Sequence, residues 1–531
     1  MSMASAQSQS RSIFTWSVVL YAVVFLPILQ TDRLIADDWG RTVLGYAGWI
    51  TQGRPLTELL MWAANLGGPM VDFAPVPQIG ALLAYAFISV IIARRFKLEG
   101  SITPCLIVLI LLANPLTLRN ISHKLDALPI SCSVLCAFLP LALADRESWL
   151  RVVGGFLALL GLLTLYQASL NVFLVFTAVE VCYLLNQNVS VRRIGLTTLT
   201  RAGQLIVAMC VYWIIAKLTV QGPYAESASR LARLPAELPL VLDNLRLWWG
   251  FPADNLPRVF RLIGDVIIIS GLASMVWIEW FYIREMWAKL GTFSRLVLVI
   301  FCAVLPLFWL LGSSGFLIAL ANIRLFLSRV YAGFGATLAS ALLLTSLVLQ
   351  RWRISRAFRV GLLLLPAYLL IYFVSVYSNA QREQKRYEEM VATRLVTDLL
   401  ELRGDHPFEA IFVQGNVGYA PVVGKVGTRF KLIRILVGID LNDSNPFLHA
   451  ILTAGGVTVP VLADDGSSSQ VKLDQPPLRK SPYYTLYLSE KTVVVVFEAP
   501  NTNEFAGQRA SNLKIVVGIP DQNRICARGC L

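Results

Sequence analysis

The chain has 531 residues, of which 56% are hydrophobic and only 15% are charged, and its mean hydropathy is +0.63. Soluble proteins usually carry about 25% charged residues, so this composition excludes an ordinary soluble domain. With a net charge of +13, the chain is predicted to be a polytopic α-helical membrane protein.

Eleven apolar runs predict transmembrane helices, because about 20 such residues are needed to cross a bilayer. The first run has no small-residue cleavage site after it, so we interpret it as a retained span and not as a signal peptide. The run from 152 to 185 is either one long tilted helix or a hairpin with its tip at "LYQASLN", and the central Gln favours the hairpin. The predicted spans are residues 13–30, 73–93, 103–118, 127–144, 152–166, 168–185, 203–220, 259–282, 295–313, 331–349 and 358–378.

Arginine and lysine predict the orientation of these spans. In the eleven-span arrangement most basic short loops fall on one side, which the positive-inside rule makes cytoplasmic together with the N-terminus. Residues 34–56 and everything after span eleven are then expected outside, on the side of the membrane opposite to the cytoplasm. The basic residues on the cytoplasmic side are Arg11, Arg94, Arg95, Lys97, Arg146, Arg151, Arg192, Arg193, Arg201, Arg284, Lys289, Arg295, Arg351, Arg353, Arg356 and Arg359.

The composition changes after Ser378. Residues 379–531 carry 17 Lys+Arg and 16 Asp+Glu, against 29 and 17 in residues 1–378. A polar helical pattern comes first, followed by strand-like runs such as "EAIFVQG", "KLIRILVG" and "KTVVVVFEA". We therefore predict a transmembrane domain (1–378) and an α/β domain outside the membrane (379–531), which the family resemblance given below would place in the periplasm. The excess positive charge belongs to the membrane part, which argues for lipid contact and against nucleic acid.

Two cysteines stand apart from the six that lie in or beside apolar runs. Cys526 and Cys530, in "CARGC" at the C-terminus, are expected on the oxidising side, where a short disulfide can persist. Zinc binding is not expected, because the chain has only three histidines and none is near this pair. No metal and no cofactor are predicted.

The loop after the first span, residues 31–72, holds the candidate active site. Asp37 or Asp38 can cap a helix that continues to Gly53, and Pro55 suits the first position of a second helix. Both helices are amphipathic and are expected to lie at the membrane surface. One carboxylate beside cations is what glycosyl transfer from a phosphate-linked donor requires. The carboxylate accepts the proton of the attacking hydroxyl, while Arg41 and Arg54 stabilise the leaving phosphate.

These motifs resemble the Gtr-type serotype-converting O-antigen glucosyltransferases. The resemblance rests on "DDWGR", "QGRPLTELL", "HKLDALPISCSV" and "LYQAS", and it covers roughly the first 200 residues. It implies a GT-C architecture, a catalytic acid in the first external loop, and a polyprenyl-phosphate sugar as donor on the periplasmic face. The implied partners are an undecaprenyl-phosphate-linked hexose, a lipid-linked O-antigen acceptor, membrane lipids, and a synthase and a flippase that supply the donor.

The resemblance also implies roles for individual residues. The loop acid maps to Asp37 or Asp38, with Asp38 slightly favoured, and the loop arginines map to Arg41 and Arg54. The acid at the head of span four maps to Asp126, where His123 and Lys124 precede it. Further candidates for donor or substrate contact are Arg119, Tyr166, Gln167, Arg324 and Arg329.

Each of these further positions has a structural alternative. Asp126 and Lys124 can be a solvating pair at a helix start, or can line the cavity with Arg119. Tyr166 and Gln167 can instead satisfy the hydrogen-bonding groups at the tip of a helical hairpin. Arg324 and Arg329 can anchor lipid headgroups as readily as donor phosphate.

Three other functions remain compatible with the sequence. A transporter of lipid-linked saccharides would also have many spans, but transporters place ionisable groups near the membrane midplane, whereas here charges concentrate on one external face. A GT-C transferase of aminoarabinose or mannose would differ only in its sugar. An O-antigen polymerase would be less expected to carry a large C-terminal domain.

Overall fold

The computed structural model of the protein describes residues 3–322, 328–443, 445–462 and 476–498. These residues are mostly helical. The helices in chain order are α1 Met3–Leu29, α2 Asp37–Leu44, α3 Pro55–Ala64, α4 Val76–Arg95, α5 Ile102–Leu112, α6 Arg119–Ser122, α7 Ala127–Ala142, α8 Ser148–Leu165, α9 Leu170–Asn186, α10 Val191–Thr219, α11 Pro223–Ser229, α12 Leu238–Asn255, α13 Arg258–Met286, α14 Thr292–Gly312, α15 Ala332–Arg351, α16 Arg356–Asp405, α17 Pro421–Arg429, α18 Lys431–Val437 and α19 Leu448–Ala454.

Nine helical segments in the described ranges are long and apolar enough to cross a membrane. This is consistent with a polytopic membrane protein. Every one of the eleven predicted runs contains a helix, but two of them are not among these nine segments. The pair Ile102–Leu112 and Pro115–Ser122 is bent by 55°, and Ala127–Ala142 is shorter than the rest. The count of eleven therefore stays a prediction.

The break between α5 and α6 follows from the local sequence. Pro115 has no backbone N–H to continue the α5 ladder, and Asn114 accepts a hydrogen bond from the backbone N–H of Leu116. The chain then turns through a short 3₁₀ segment into α6 and the segment 123–126. This bend places the polar residues of α6 and of segment 123–126 at the N-terminal end of α7.

The run from 152 to 185 is two helices. α8 ends at Leu165, Tyr166 adopts an extended conformation, and a 3₁₀ turn at Gln167–Ser169 leads into α9. Both helices are apolar enough to be separate spans. The prediction of a break at "LYQASLN" is thus confirmed, and the prediction of one long tilted helix does not apply.

The C-terminal part of the described chain contains a five-stranded mixed sheet. Its strands are β1 Ala410–Gln414, β2 Val461–Leu462, β3 Arg479–Lys480, β4 Tyr484–Ser489 and β5 Thr492–Phe497, in the spatial order β2-β1-β5-β4-β3. β1 is parallel to β2 and β5, whereas β4 is antiparallel to its two neighbours. Two of the strand-like runs in the sequence are β1 and β5, as predicted.

One sequence interpretation of this region is wrong, and another stays a prediction. The run "KLIRILVG" is helix α18 and not a strand, because a short buried apolar run satisfies either period. The domain boundary placed at 378/379 falls inside α16, which runs without a break for 50 residues. The polar pattern after Ser378 is therefore the continuation of the helix that forms the last predicted span, and the division into a membrane domain and an external domain stays a prediction.

The second half of α16, together with α17–α19 and the sheet, forms what we call the C-terminal unit (residues 379–498). α19, the sheet and the second half of α16 share an apolar core, to which α16 contributes Val391, Leu395 and Leu399 and the sheet contributes Ile411 and Val495. The buried apolar residues of α17 and α18 pack instead with the core of the membrane helices. α19 packs against α2, and Trp39 of α2 lies against this core. The C-terminal unit therefore touches the loop that follows the first span.

Candidate functional site

The loop after α1 is built from two short helices, as the sequence predicted, but with different ends. α2 ends at Leu44, followed by Gly45 in the left-handed conformation, and not at Gly53. α3 begins at Pro55, as predicted. Leu59 and Trp62 of α3 are exposed, which suits a helix with an apolar outer face.

Neither aspartate of the pair caps α2. The N-cap position is Ala36, with φ 47°, and within the described chain no side chain caps this helix end. The predicted capping role is wrong because the Asp38 side chain is used elsewhere. It is fully buried and accepts hydrogen bonds from the backbone N–H groups of Lys124 (3.1 Å) and Leu125 (3.3 Å). Asp38 thus fixes the polar turn that precedes α7.

Asp37 has a different environment. Its side chain is 22% exposed, against 0% for Asp38, and its carboxylate lies 3.7 Å from the Arg41 guanidinium one turn later. A carboxylate at the first turn of a helix is stabilised by the free backbone N–H groups there. Asp37 is therefore the more accessible carboxylate of the pair.

Arg41 joins this helix to the head of α7. Its guanidinium is fully buried and lies 3.2 Å from Asp126, within ion-pair distance but not aligned for a hydrogen bond. The guanidinium also stacks over the Trp49 ring at 4.1 Å, and the Trp49 indole N–H donates to Asp126 at 2.7 Å. Arg41, Trp49 and Asp126 thus form one compact group beside Asp37.

The loop between α2 and α3 is held by Glu58. Its carboxylate accepts hydrogen bonds from the backbone N–H groups of Trp49 (3.0 Å) and Ile50 (2.9 Å). Gln167 adds a second tie, because its amide donates to the Gly53 carbonyl at 3.1 Å. The predicted substrate role of Gln167 stays a prediction, and its observed contact holds the loop between α2 and α3 in place.

Two further arginines approach Asp126 from other parts of the chain. Arg54 stacks over the Tyr166 ring at 4.8 Å. Arg329 lies 3.9 Å from the second oxygen of Asp126 and is only 15% exposed. Its backbone carbonyl also accepts from Asn120 (3.1 Å). The structure therefore brings Arg41 and Arg329 within ion-pair distance of one carboxylate, and Arg54 is close enough to contribute to the electrostatics of this carboxylate.

The charge of Asp126 is fixed by these neighbours. Burial alone would raise the pKa of the Asp126 carboxyl, but the surrounding cations, led by Arg41, outweigh burial and hold this pKa well below its ordinary value. Asp126 is therefore ionised at neutral pH and is suited to orienting arginines. It is poorly suited to accepting a proton during a reaction.

His123 and Arg119 are buried groups with unmet hydrogen-bonding capacity. Neither ring nitrogen of His123 has a hydrogen-bond partner among the described residues, although Nδ1 lies 3.5 Å from Asp38. The Nε of Arg119 is also without a partner in the described ranges. Arg119 forms no salt bridge with a carboxylate of the described residues.

Lys124 faces away from this group. Its ammonium bonds to Asp32 and to Asp72, the latter at 2.6 Å. Burial lowers the pKa of Lys124, but these two carboxylates together raise it above its ordinary value. A cavity of about 220 Å³ lies on the same side, between the end of α1, the start of α4 and the 122–124 turn. Lys124 is therefore neutralised by acids, in contrast to Arg119.

Three predicted residues lie outside the described residues: Arg324, Cys526 and Cys530. Within the described ranges, no group of three or more His, Cys, Asp or Glu side chains is arranged to hold a metal ion.

Sequence reasoning missed several members of the site. Trp49 was not singled out, although an indole within a charged loop is a recognisable partner for an arginine. Asp32 and Asp72 lie at the two ends of the same loop and were not connected with Lys124. Arg33 was also missed, and only the fold reveals its partners, which are more than 340 residues away in the sequence.

The apolar helices and the charged groups gathered in the loops between them are the features of a polytopic membrane protein with a polar site at its helix ends. The chain belongs to the family described as Glucosyl transferase GtrII, which it matches over residues 26–370. This confirms the resemblance to the Gtr-type enzymes.

The chain is also similar to a protein of Salmonella phage P22 described as an uncharacterized 55.3 kDa protein in the gtrB 5′ region. The two are 27% identical over 228 residues, which is 43% of this chain and 46% of the relative. The chain thus matches about half the length of that relative.

Proposed function

We propose that the protein is an inner-membrane glycosyltransferase that moves a hexose, glucose in our proposal, from a polyprenyl-phosphate donor to a lipid-linked O-antigen saccharide on the periplasmic face. Family membership supports the transfer of a glucosyl group. The proposed residues are Asp37 as the base and the arginines around Asp126 as the phosphate site.

The observation that carries this proposal is a cluster of buried polar atoms without hydrogen-bond partners in the described chain. Native proteins satisfy nearly all buried polar groups, so a concentration of unmet donors calls for a ligand. The atoms belong to Arg41, Arg54, Arg119, Asn120, His123 and Asp126. Four of these eight atoms are arginine N–H donors, namely Nη1 and Nη2 of Arg41, Nε of Arg54 and Nε of Arg119, whereas the Asn120 and Asp126 oxygens are acceptors. An anion with several oxygens, such as a phosphate, would accept from the arginine donors.

The proposed chemistry needs one base and one anion site. The Asp37 carboxylate accepts the proton of the acceptor hydroxyl as its oxygen attacks the anomeric carbon of the donor sugar. The bond from that carbon to the phosphate oxygen breaks, and its electron pair stays on the phosphate. Arg54 and Arg329 stabilise the charge that develops there. With a β-linked phosphate donor, this direct attack inverts the anomeric centre and gives an α-linkage.

The division of roles between the two aspartates follows from their surroundings. Asp38 is fully buried and already accepts two backbone hydrogen bonds, so it has little capacity to take a proton from a substrate. Asp37 is partly exposed, which favours it as the base. This reverses the slight sequence-based preference for Asp38.

The test is incubation of the purified protein with defined polyprenyl-phosphate sugars and a lipid-linked acceptor, with products read by mass spectrometry. We expect a mass increase of one hexose on the acceptor with the correct donor. Absence of transfer with every donor would contradict the proposal. If the donor lipid instead moved between leaflets, the transporter alternative would replace it.

A further inference from the structure

Arg33 connects the loop after the first span to the C-terminal unit. The residue is 4% exposed and lies in the link between α1 and α2, four positions before Asp37. Its guanidinium donates to Glu388 at 2.7 Å and to Asp440 at 2.8 Å. It also donates to the side chain of Gln381 at 2.7 Å and to the carbonyl of Val437 at 2.8 Å. One side chain thus binds α16, the end of α18 and the loop that follows it.

The partners of Arg33 are themselves tied together. The Glu388 carboxylate accepts the backbone N–H of Asp440 at 2.6 Å. A buried arginine that meets two carboxylates and two further acceptors satisfies most of its donor positions in a fixed geometry. Removing one member would leave buried charges unpaired, which is strongly unfavourable. The group is therefore a rigid joint.

A second contact joins the C-terminal unit directly to α2. The Phe447 ring stacks on the Tyr46 ring, with centroids 6.3 Å apart and an interplanar angle of 15°. Gly40 of α2 faces the same place, because a Cβ there would lie 2.7 Å from the Phe447 ring. A glycine is needed at this position for the close approach.

We propose that Arg33 is a positioning residue: by docking the C-terminal unit on the first loop, it sets the place of α2 and thereby of Asp37. This rests on the proposed function, in which Asp37 is the base. The C-terminal unit then acts through the geometry of the loop and does not itself contact the donor. Arg33 lies just before α2, and Phe447 of the C-terminal unit lies against Gly40 in the middle of α2. The two contacts therefore fix the helix at two points.

The test compares Arg33→Met and Arg33→Lys with a matched control, Arg359→Met. Arg359 is also buried on α16 and pairs with a carboxylate, Glu99, but it lies at the opposite end of that helix. Two readouts are needed. The first is steady-state transfer, with kcat and the donor KM determined separately. The second is amide hydrogen exchange of residues 34–46, which reports the docking without any need for activity.

We expect Arg33→Met to lower kcat by about 10²-fold, the scale on which small misplacements of a reacting group act, with the donor KM nearly unchanged. Exchange in residues 34–46 should become faster in the same variant. Arg33→Lys should recover part of both effects, because an ammonium can still meet one carboxylate. Arg359→Met should leave both readouts close to those of the wild-type protein.

Phe447→Ala gives a second route if Arg33→Met does not fold. It removes only the ring contact with α2, so faster exchange and a lower kcat are expected again. Unchanged exchange in both Arg33→Met and Phe447→Ala would overturn the docking role, and faster exchange with normal kcat would overturn positioning. Absence of transfer by the wild-type protein would remove the proposed function and with it the positioning role, while exchange would still report whether the contact exists.

Discussion

Asp38 and Lys124 are 86 positions apart in the sequence, yet the carboxylate of the first accepts the backbone N–H of the second at 3.1 Å. Leu125 donates its backbone N–H to the other oxygen of the same carboxylate. This places the second aspartate of the "DDWGR" motif at the joint between α2 and the head of α7. The turn that carries His123 and precedes Asp126 is thus held from the first loop.

Asp38→Asn should therefore weaken the structure before it affects the chemistry. An amide can still accept one of the two backbone N–H groups, but its NH₂ group would face the other donor. Loss of one buried hydrogen bond is expected to cost about 1–3 kcal/mol, measured as a lower thermal midpoint in detergent. Asp243→Asn, at an exposed carboxylate whose partner Arg246 is also exposed, serves as the control and should shift the midpoint less. A midpoint equal to that of the wild-type protein would contradict this role of Asp38.

Asp37→Asn should have the opposite profile. The amide keeps the size of the side chain but accepts protons poorly, so turnover should fall by about 10²-fold or more, as expected when a general base is lost. The thermal midpoint and the donor KM should change little, because Asp37 is partly exposed and makes only one distant ion pair. Turnover near that of the wild-type protein would exclude Asp37 as the base and leave Asp38 and Asp126 to be tested.

The sequence predicted the parts of the fold that depend on local patterns. Long apolar runs identified the helices, Pro55 marked the start of α3, and the Gln in "LYQASLN" marked the break after α8. The short strand-like runs of β1 and β5 were also recognised. These signals depend on periodicity and on proline geometry, which need no knowledge of distant contacts.

The errors occurred where distant contacts decide the outcome. A capping role for Asp37 or Asp38 was reasonable locally, but the backbone of Lys124 and Leu125 binds the Asp38 carboxylate instead. α18 was misread because its run is buried on several sides and satisfies both helix and strand patterns. The candidate site showed the same division. Arg41, Arg54 and Asp126 stand in short motifs that are visible in the sequence. The partners of Arg33 lie in α16 and in the segment that follows α18, and only the fold brings them together.

Arg54→Ala should raise the donor KM with a smaller effect on kcat, if this residue holds the phosphate in the ground state. Arg54 contacts Tyr166 through its guanidinium plane, so Arg54→Lys should recover the charge but not the stacking, and should give an intermediate KM. Arg246→Ala is the matched control, since Arg246 is 83% exposed on α12. The measurement is a donor titration at saturating acceptor. Equal KM values for Arg54→Ala and the wild-type protein would remove Arg54 from the donor site.

The topology makes a separate prediction. Residues 34–56 and the C-terminal unit should face the periplasm, and the 351–359 loop should face the cytoplasm. Single cysteines at Thr51, Glu401 and Ser355, in a chain whose native cysteines are replaced, would be treated with an impermeant thiol reagent in intact spheroplasts. Labelling of the first two and protection of the third is expected. Protection of Glu401→Cys together with labelling of Ser355→Cys would reverse the orientation and move the proposed site to the other face.

The last prediction concerns acid stability. The pKa of Asp126 is held below its ordinary value, so the folded state binds its proton less readily than the unfolded chain does. The stabilisation is therefore fully present above the unfolded pKa of about 3.9 and is lost as the pH falls through the lower folded pKa. Asp126→Asn removes this contribution and leaves the buried Arg41 without its charged partner. Breaking a buried pair in this way is expected to cost about 3 kcal/mol at neutral pH.

The measurement is the thermal midpoint of the wild-type protein and of Asp126→Asn in detergent between pH 3 and pH 8. The difference between the two should be constant from about pH 5 upward and should narrow below about pH 4, because only the wild-type protein has a carboxylate to protonate at this position. Asp145→Asn, at a carboxylate that is 75% exposed and 3.8 Å from Arg95, should show a small difference throughout. A difference that widened as the pH fell would mean that the Asp126 pKa is raised by burial. The surrounding arginines would then not stabilise the ionised form of this carboxylate.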